Sequence, residues 1–363
     1  MGSAIVPQLL DLPDTEVRLL VRAESAAALA DRARELVGFW NLGGNPEKTN
    51  RIRYMRGDAT EDEFGLDQAE FADLAASCTH IIHCAGAVRM NLDLADARRS
   101  AVGSARQILG LARAAAQSGQ LKKVDFVSTV GVAGKQSGIL EEAWLKAMPE
   151  FHNTYEQAKA EAEELVREAV EDGKLPITVH RPSMVIGDSR DGRVIHFQIF
   201  YFLCEFLSGR RTLGLYPDFG ETRLDIIPSD TVAAAIVAAS RDPATTGRIF
   251  HLCSGPTLAP RLEEVKAVVR RSFSRHGLFV PPALTMPLAW YGRMAMFGAS
   301  LAPARHRKAL ATLPIYLNYL ADRQAFGNPR FSDWFSAQGH AVPRWQDYLE
   351  RILNRYLTEK YPT

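Results

Sequence analysis

The strongest constraint on the fold is an alternation of short apolar runs with longer helical stretches. Thr79-His80-Ile81-Ile82-His83 breaks into the small residues Cys84-Ala85-Gly86-Ala87, and Val124-Asp125-Phe126-Val127 runs into Ser128 and Thr129. A third run, Leu175-Pro176-Ile177-Thr178-Val179-His180, ends at Arg181-Pro182. An Ala- and Leu-rich stretch near 93–118 and an alternating-charge stretch at 155–172 lie between them. Strand, helix, strand, helix and strand in this order describe an α/β protein with a doubly wound parallel sheet, Rossmann-like in topology.

The helix after the second run opens with Tyr155-Glu156-Gln157-Ala158-Lys159. A four-residue step puts Tyr155 and Lys159 on one helical face. An ammonium beside a phenol favours phenolate, so Lys159 is expected to lower the tyrosine pKa towards neutral and make Tyr155 a usable proton donor. A hydroxyl from the preceding strand end, Thr129 or Ser128, would hold a carbonyl oxygen. Successive strand residues face opposite sides, so one of the two serves. Alone, such a pair equally suits a half-buried tyrosine and a solvated lysine on an amphipathic helix. Its place after a strand in this alternation gives it weight.

Taken together, Leu19-Leu20-Val21-Arg22, Gly57-Asp58, His83-Cys84-Ala85-Gly86, Val127-Ser128-Thr129-Val130, Asn153 through Lys159, Arg181 through Gly187 and Leu224 through Asp230 resemble the extended short-chain dehydrogenases/reductases. The resemblance is to the male sterility-type branch, with fatty acyl-CoA reductases and the thioester reductase domains of carboxylic acid reductases. It covers residues 1 to about 255 well and the remainder loosely. It implies a catalytic set of Thr129, Tyr155 and Lys159, with Lys159 also reaching the nicotinamide ribose. Pro182 and Ser183 are expected beside the nicotinamide, and Cys84, Ala85 and Gly86 where the cofactor passes; small residues there also suit tight helix–sheet packing. Asp58 is expected at the adenine or as a helix cap. Arg22 closes the second strand, where an arginine pairs with a 2′-phosphate. NADPH is therefore the expected cofactor, with Ser25 as a second donor; the plain alternative for Arg22 is a solvated side chain. Ser100 stands where many relatives carry an asparagine that supports a water relay to the lysine.

One departure stands out. Such folds begin with a buried strand and a turn of the form G-x-x-G-x-x-G, whereas Met1-Gly2-Ser3-Ala4-Ile5-Val6 reads as the helix after that turn. Gly2 takes the place of the third glycine. A fragment and a chain that has lost its cofactor turn are both compatible with this. Backbone N–H groups of that turn hold the pyrophosphate, so the 363-residue chain is expected to bind dinucleotide weakly.

Formal net charge is +1, from 43 basic and 42 acidic residues, which gives nucleic-acid binding no support. Cys78, Cys84, Cys204 and Cys253 lack C-x-x-C spacing, and the histidines lack ligand spacing, so no metal is expected and a reducing, cytoplasmic setting is. Helices are expected at 3–12 and 24–40, a capping box at Thr60–Glu63, and helix throughout from Leu262. Residues 190–222 are aromatic and read as a substrate-facing insertion. The expected division is a cofactor domain at 1–187 plus 223–255 and a smaller, mainly helical substrate lobe at 188–222 plus 256–363. The apolar segment 279–301 suits a groove-lining helix, or an interfacial one in peripheral contact with a membrane; Arg293 and three prolines weigh against a span.

The expected activity is NADPH-dependent reduction of a fatty acyl thioester or a similar hydrophobic carbonyl. Arg193, Arg210, Arg211 and Arg223 keep open a dehydrogenase or epimerase acting on a sterol or nucleotide sugar. A non-catalytic scaffold is the rival of another class.

Overall fold

Four parallel strands form the main sheet in the spatial order Ile249–Leu252, Ile177–Pro182, Lys123–Val127 and His80–His83. The computed structural model describes residues 1–287, 290, 291, 293 and 324–362. The two inner strands are buried along their whole length, as their unbroken apolar character predicts. On one face, Val124 and Phe126 pack against Ala105, Leu109 and Ala112 of the Ser104–Gln117 helix and Ala158, Ala162 and Val166 of the Thr154–Glu171 helix. Alanines on both helices allow close approach to the sheet. On the other face, Val127, Phe250 and Leu252 meet Val232, Ala233 and Ile236 of the Ser229–Arg241 helix, with Phe331 and Phe335 from the Pro329–Ala337 helix. Fully burying a side chain such as Phe126 or Phe250 contributes about 2–3 kcal/mol, which is why these strands anchor the site.

A second parallel pair, Val17–Val21 with Ile52–Arg56, stands apart from the main sheet. The Gly2–Leu10 helix bridges the two sheets. Its Ile5 packs with Val127 and Phe250, while Val6 and Leu10 pack with Val17, Leu36, Trp40 and Ile52. Trp40 Nε1 donates to Ser3 O at 2.7 Å and Gln8 Nε2 to Asp230 O at 2.9 Å, so the helix is tied to both sides. Among the described residues no strand joins Val17–Val21 to His80–His83, and each keeps one free ladder edge.

Several local expectations are corrected. The 93–118 stretch is broken: Leu94–Arg98 passes through a π-helical turn, Arg99–Gly103, before Ser104–Gln117. Thr60–Glu63 is no capping box. Asp58 takes Thr60 N at 2.9 Å, and a 3₁₀ turn follows with Glu63 and Phe64 at positive φ. The box is one turn later, Asp67 with Glu70. Beyond Leu262 the chain is not all helix: Leu284–Met286 pairs with Leu215–Pro217, and Gln324–Phe326 with Gly138–Leu140.

Phe200, Tyr201 and Phe206 do not line a groove. They join Tyr216, Phe273, Tyr348 and Tyr356 in a separate core. Inside it the buried Glu205 accepts hydrogen bonds from Tyr356 Oη at 2.7 Å and Tyr361 Oη at 2.9 Å. Of segment 279–301, Phe279 and Trp290 are exposed and Tyr291 is buried; residues 288, 289, 292 and 294–301 lie outside the described residues. No described helix is long and apolar enough to cross a membrane.

Candidate active site

Two strand-to-helix junctions build the site. Ser128 N donates to His180 O at 2.7 Å, which carries the sheet ladder to the end of Lys123–Val127. Thr129 then caps a 3₁₀ turn, its Oγ1 accepting from Gly131 N at 3.1 Å. Asn153 caps the Thr154–Glu171 helix by accepting from Glu156 N at 3.0 Å, and Thr154 Oγ1 donates to Leu92 O at 2.7 Å. Tyr155 therefore leaves a fixed helix N-terminus, and its hydroxyl hydrogen-bonds the Thr129 side chain. One turn on, Lys159 Nζ donates to Val127 O at 3.0 Å and lies 5.6 Å from the centre of the Phe126 ring. The structure thus brings Thr129, Tyr155 and Lys159 together. Ser128 is buried elsewhere, and its hydroxyl has no hydrogen-bond partner among the described residues.

The electrostatics depart from expectation. Burial pushes the Tyr155 phenol up to about 12, and the Thr129 hydrogen bond only partly opposes it. Lys159 does not draw the phenol down, because its ammonium is engaged with the Val127 carbonyl. Burial pushes Lys159 itself down to about 8, against the charge of Glu163. Tyr155 is accordingly a neutral phenol that holds its proton until an oxyanion forms beside it.

The residues expected around a dinucleotide fall into two groups. Gly2 opens a nine-residue helix, and a Cβ placed on it would stand 3.4 Å from Cys84 Sγ. Ala85 and Gly86 beyond Cys84 are exposed. Helix N-terminus and small residues thus meet across one opening, as a pyrophosphate site requires. Further out, Arg22 is exposed, and its Nε pairs with Asp58 Oδ2 at 3.0 Å. Ser25 caps the Ala26–Phe39 helix by accepting from Ala28 N at 3.1 Å. The far edge of the guanidinium and the helix start are left open to an anion. Ser183, after Pro182, donates to Asp225 Oδ1 at 2.7 Å; this buried carboxylate also accepts from Ser254 N and Gly255 N. These residues fit a nicotinamide dinucleotide. Ser100 Oγ accepts from Ala87 N at 2.8 Å, which holds the loop beyond the first strand.

Three groups escaped the sequence reading. His83 packs on Phe126 with ring centres 5.2 Å apart; burial and Lys159 push it down to about 3. Glu163 and Arg181 form a buried ion pair behind Lys159. Asp225 is pushed up to about 6 by burial. The four-residue step from Lys159 to Glu163 was a readable sign. The other two depend on strand neighbours that no local pattern specifies. A cleft of about 550 Å³ opens elsewhere on the helix, between Met148–Phe151 and Gln157 and Glu161, and neither Tyr155 nor Lys159 lines it. Among the described residues no group of three or more His, Cys, Asp or Glu could hold a metal ion.

A parallel sheet flanked by helices, with a Tyr–Lys pair and a hydroxyl at one strand end, defines an oxidoreductase domain of the short-chain dehydrogenase/reductase class. More particularly, the chain belongs to the male sterility protein family of NAD-binding domains, whose model matches residues 1–236. It is 32% identical over 270 residues to an isonitrile lipopeptide synthase of Streptomyces coeruleorubidus, covering 73% of this chain and 17% of that protein. It is 31% identical over 236 residues to the L-2-aminoadipate reductase of Saccharomyces cerevisiae, covering 61% of this chain and 16% of that protein. The chain therefore spans less than a fifth of the length of either relative. Among solved structures, the terminal R domain from the myxalamid PKS-NRPS biosynthetic pathway superposes with a TM-score of 0.81 at 25% identity, over 99% of this chain and 88% of that one.

Proposed function

We propose that the chain is an NADPH-dependent reductase of an acyl thioester carried on coenzyme A or a carrier domain. The observation that carries this reading is the hydrogen bond between Tyr155 and Thr129 with the buried Lys159 one turn behind. Two hydroxyls aimed at one point bind a carbonyl oxygen and stabilise the negative charge that develops on it. Gly2, Cys84, Ala85 and Gly86 would hold the pyrophosphate, Arg22 and Ser25 a 2′-phosphate, and Ser183 the nicotinamide side. When bound, the nicotinamide supplies hydride to the carbonyl carbon. Tyr155 gives its proton to the forming oxyanion, and the Lys159 charge stabilises the phenolate left behind. Collapse of the hemithioacetal then breaks the C–S bond and yields an aldehyde and a thiol. The names of the relatives favour a thioester over a free ketone.

The test follows loss of reduced-nicotinamide absorbance with palmitoyl-CoA and with a short acyl-pantetheine, for the wild type and Tyr155→Phe, with NADPH binding titrated separately. Thioester-dependent turnover reduced about 10²–10⁴-fold in the variant supports the reading. NADPH binding without any thioester-dependent oxidation would refute it.

A further inference from the structure

We propose that Glu163 is a positioning residue for this reduction: its carboxylate, clamped by Arg181, holds the Lys159 ammonium in place and keeps it charged. This rests on the reading of Tyr155 and Lys159 above. Glu163 lies one helical turn beyond Lys159 on the same face and is 2% exposed. Arg181 Nε donates to Glu163 Oε1 at 3.1 Å and Oε2 at 3.2 Å, and Arg181 Nη2 also bonds Oε1. Arg181 is itself anchored, with Nη1 donating to Ala143 O at 2.9 Å and standing 3.3 Å from His251 Nε2.

The His251 ring is neutral, and its tautomer follows from its neighbours. Nδ1 stands 2.9 Å from Gly327 O, which can only accept, so Nδ1 carries the proton and Nε2 accepts from Arg181. Burial and the Arg181 charge hold this imidazole far below its usual range. One carboxylate therefore stands between two buried cations, Lys159 and Arg181. A charge gripped by a fixed fork cannot swing away, so its distance from Lys159 is set by the sheet.

The other groups facing Lys159 do not replace it. Tyr155, on the same helix, is a neutral phenol. His83 and Cys84, from the end of the His80–His83 strand, are a neutral ring and a thiol that counts only when ionised. Among the described residues, Glu163 is thus the fixed anion acting on Lys159. Two unit charges about 6 Å apart at an effective dielectric near 20 move a titration by roughly one to two pH units.

The experiment measures competitive acetylation of Lys159 by acetic anhydride as a function of pH, read by peptide mass spectrometry, beside the pH profile of thioester reduction. In the wild type the Lys159 midpoint is expected near 8. In Glu163→Gln it should fall by about one to two pH units. The alkaline limb of the rate should fall with it, while the low-pH rate is kept to within a few-fold. Glu163→Asp keeps the charge and should restore most of the midpoint. If Glu163→Gln does not fold, Glu163→Gln with Arg181→Met removes the pair as a whole, and the same downward movement is expected. An unmoved midpoint in a folded variant overturns the proposal, and so does an equal loss of rate at every pH. The labelling does not need turnover, so a shifted midpoint in a chain that reduces no thioester sinks the functional reading and leaves the hold of Glu163 on Lys159 intact.

Discussion

Replacing Glu142 by alanine should cost this fold more than its loop position suggests. The Glu142 carboxylate is buried and serves two elements distant in sequence. It accepts His251 N at 2.9 Å, on the outer edge of the main sheet, and Arg330 N at 2.7 Å and Phe331 N at 3.1 Å, at the start of the Pro329–Ala337 helix. It therefore covers a strand edge and supplies a helix N-terminus that has no side-chain cap of its own. Each N–H left without a partner costs about 1–3 kcal/mol. Water can reach the two helix groups once the carboxylate is gone, so they belong at the low end, and His251 N at the high end. The sum is about 4–5 kcal/mol, or roughly 10 °C in Tm for a domain of this size.

The pH dependence of that loss has a definite sign. Burial raises the Glu142 carboxyl pKa, the three N–H bonds notwithstanding. A raised carboxyl contributes stability that is complete below its unfolded value and is lost as pH rises through the folded one. The gap between wild type and Glu142→Ala should therefore narrow as pH rises. Circular dichroism melts at several pH values, with hydrogen exchange over 329–337, make the measurement. A Tm within about 2 °C of wild type at every pH would refute the reasoning.

Other outcomes follow from single sites. Arg22→Ala should weaken NADPH binding about 10–100-fold and leave NADH binding unchanged, by titration of both cofactors; equal loss for both would remove Arg22 from the 2′-phosphate site. Asp225 titrates near 6 in the fold against an ordinary 3.8, so it should reduce stability by about 3 kcal/mol as pH rises from about 4 through 6, a loss that urea melts of Asp225→Asn should not show. Gly134 has φ 54° and ψ −133°, and a Cβ there would meet Glu150 O at 2.2 Å, so Gly134→Ala should lower stability by about 3 kcal/mol or more in the same urea melts.

Local chemistry was legible before any coordinates. Unbroken apolar runs marked the buried strands, the Tyr155–Lys159 spacing marked one helical face, and Thr129 was separated from Ser128 by strand alternation, because each of these depends on residues close in the chain. Even the Leu94–Gln117 region read as helix, although its π-helical turn at Arg99–Gly103 left no pattern to find. The site's electrostatics were not legible. Tyr155 sits high because burial, a property of the whole packed structure, outweighs a neighbouring charge that the Val127 carbonyl already holds. The aromatic run at 190–222 looked like a groove until the 262–275 and 345–360 helices closed over it as a core. Glu163, Arg181, His251 and Glu142 are scattered over more than a hundred residues, and only strand pairing and helix docking bring them into one buried chain. Periodicity is written residue by residue, whereas desolvation and long-range pairing exist only once the sheet has formed.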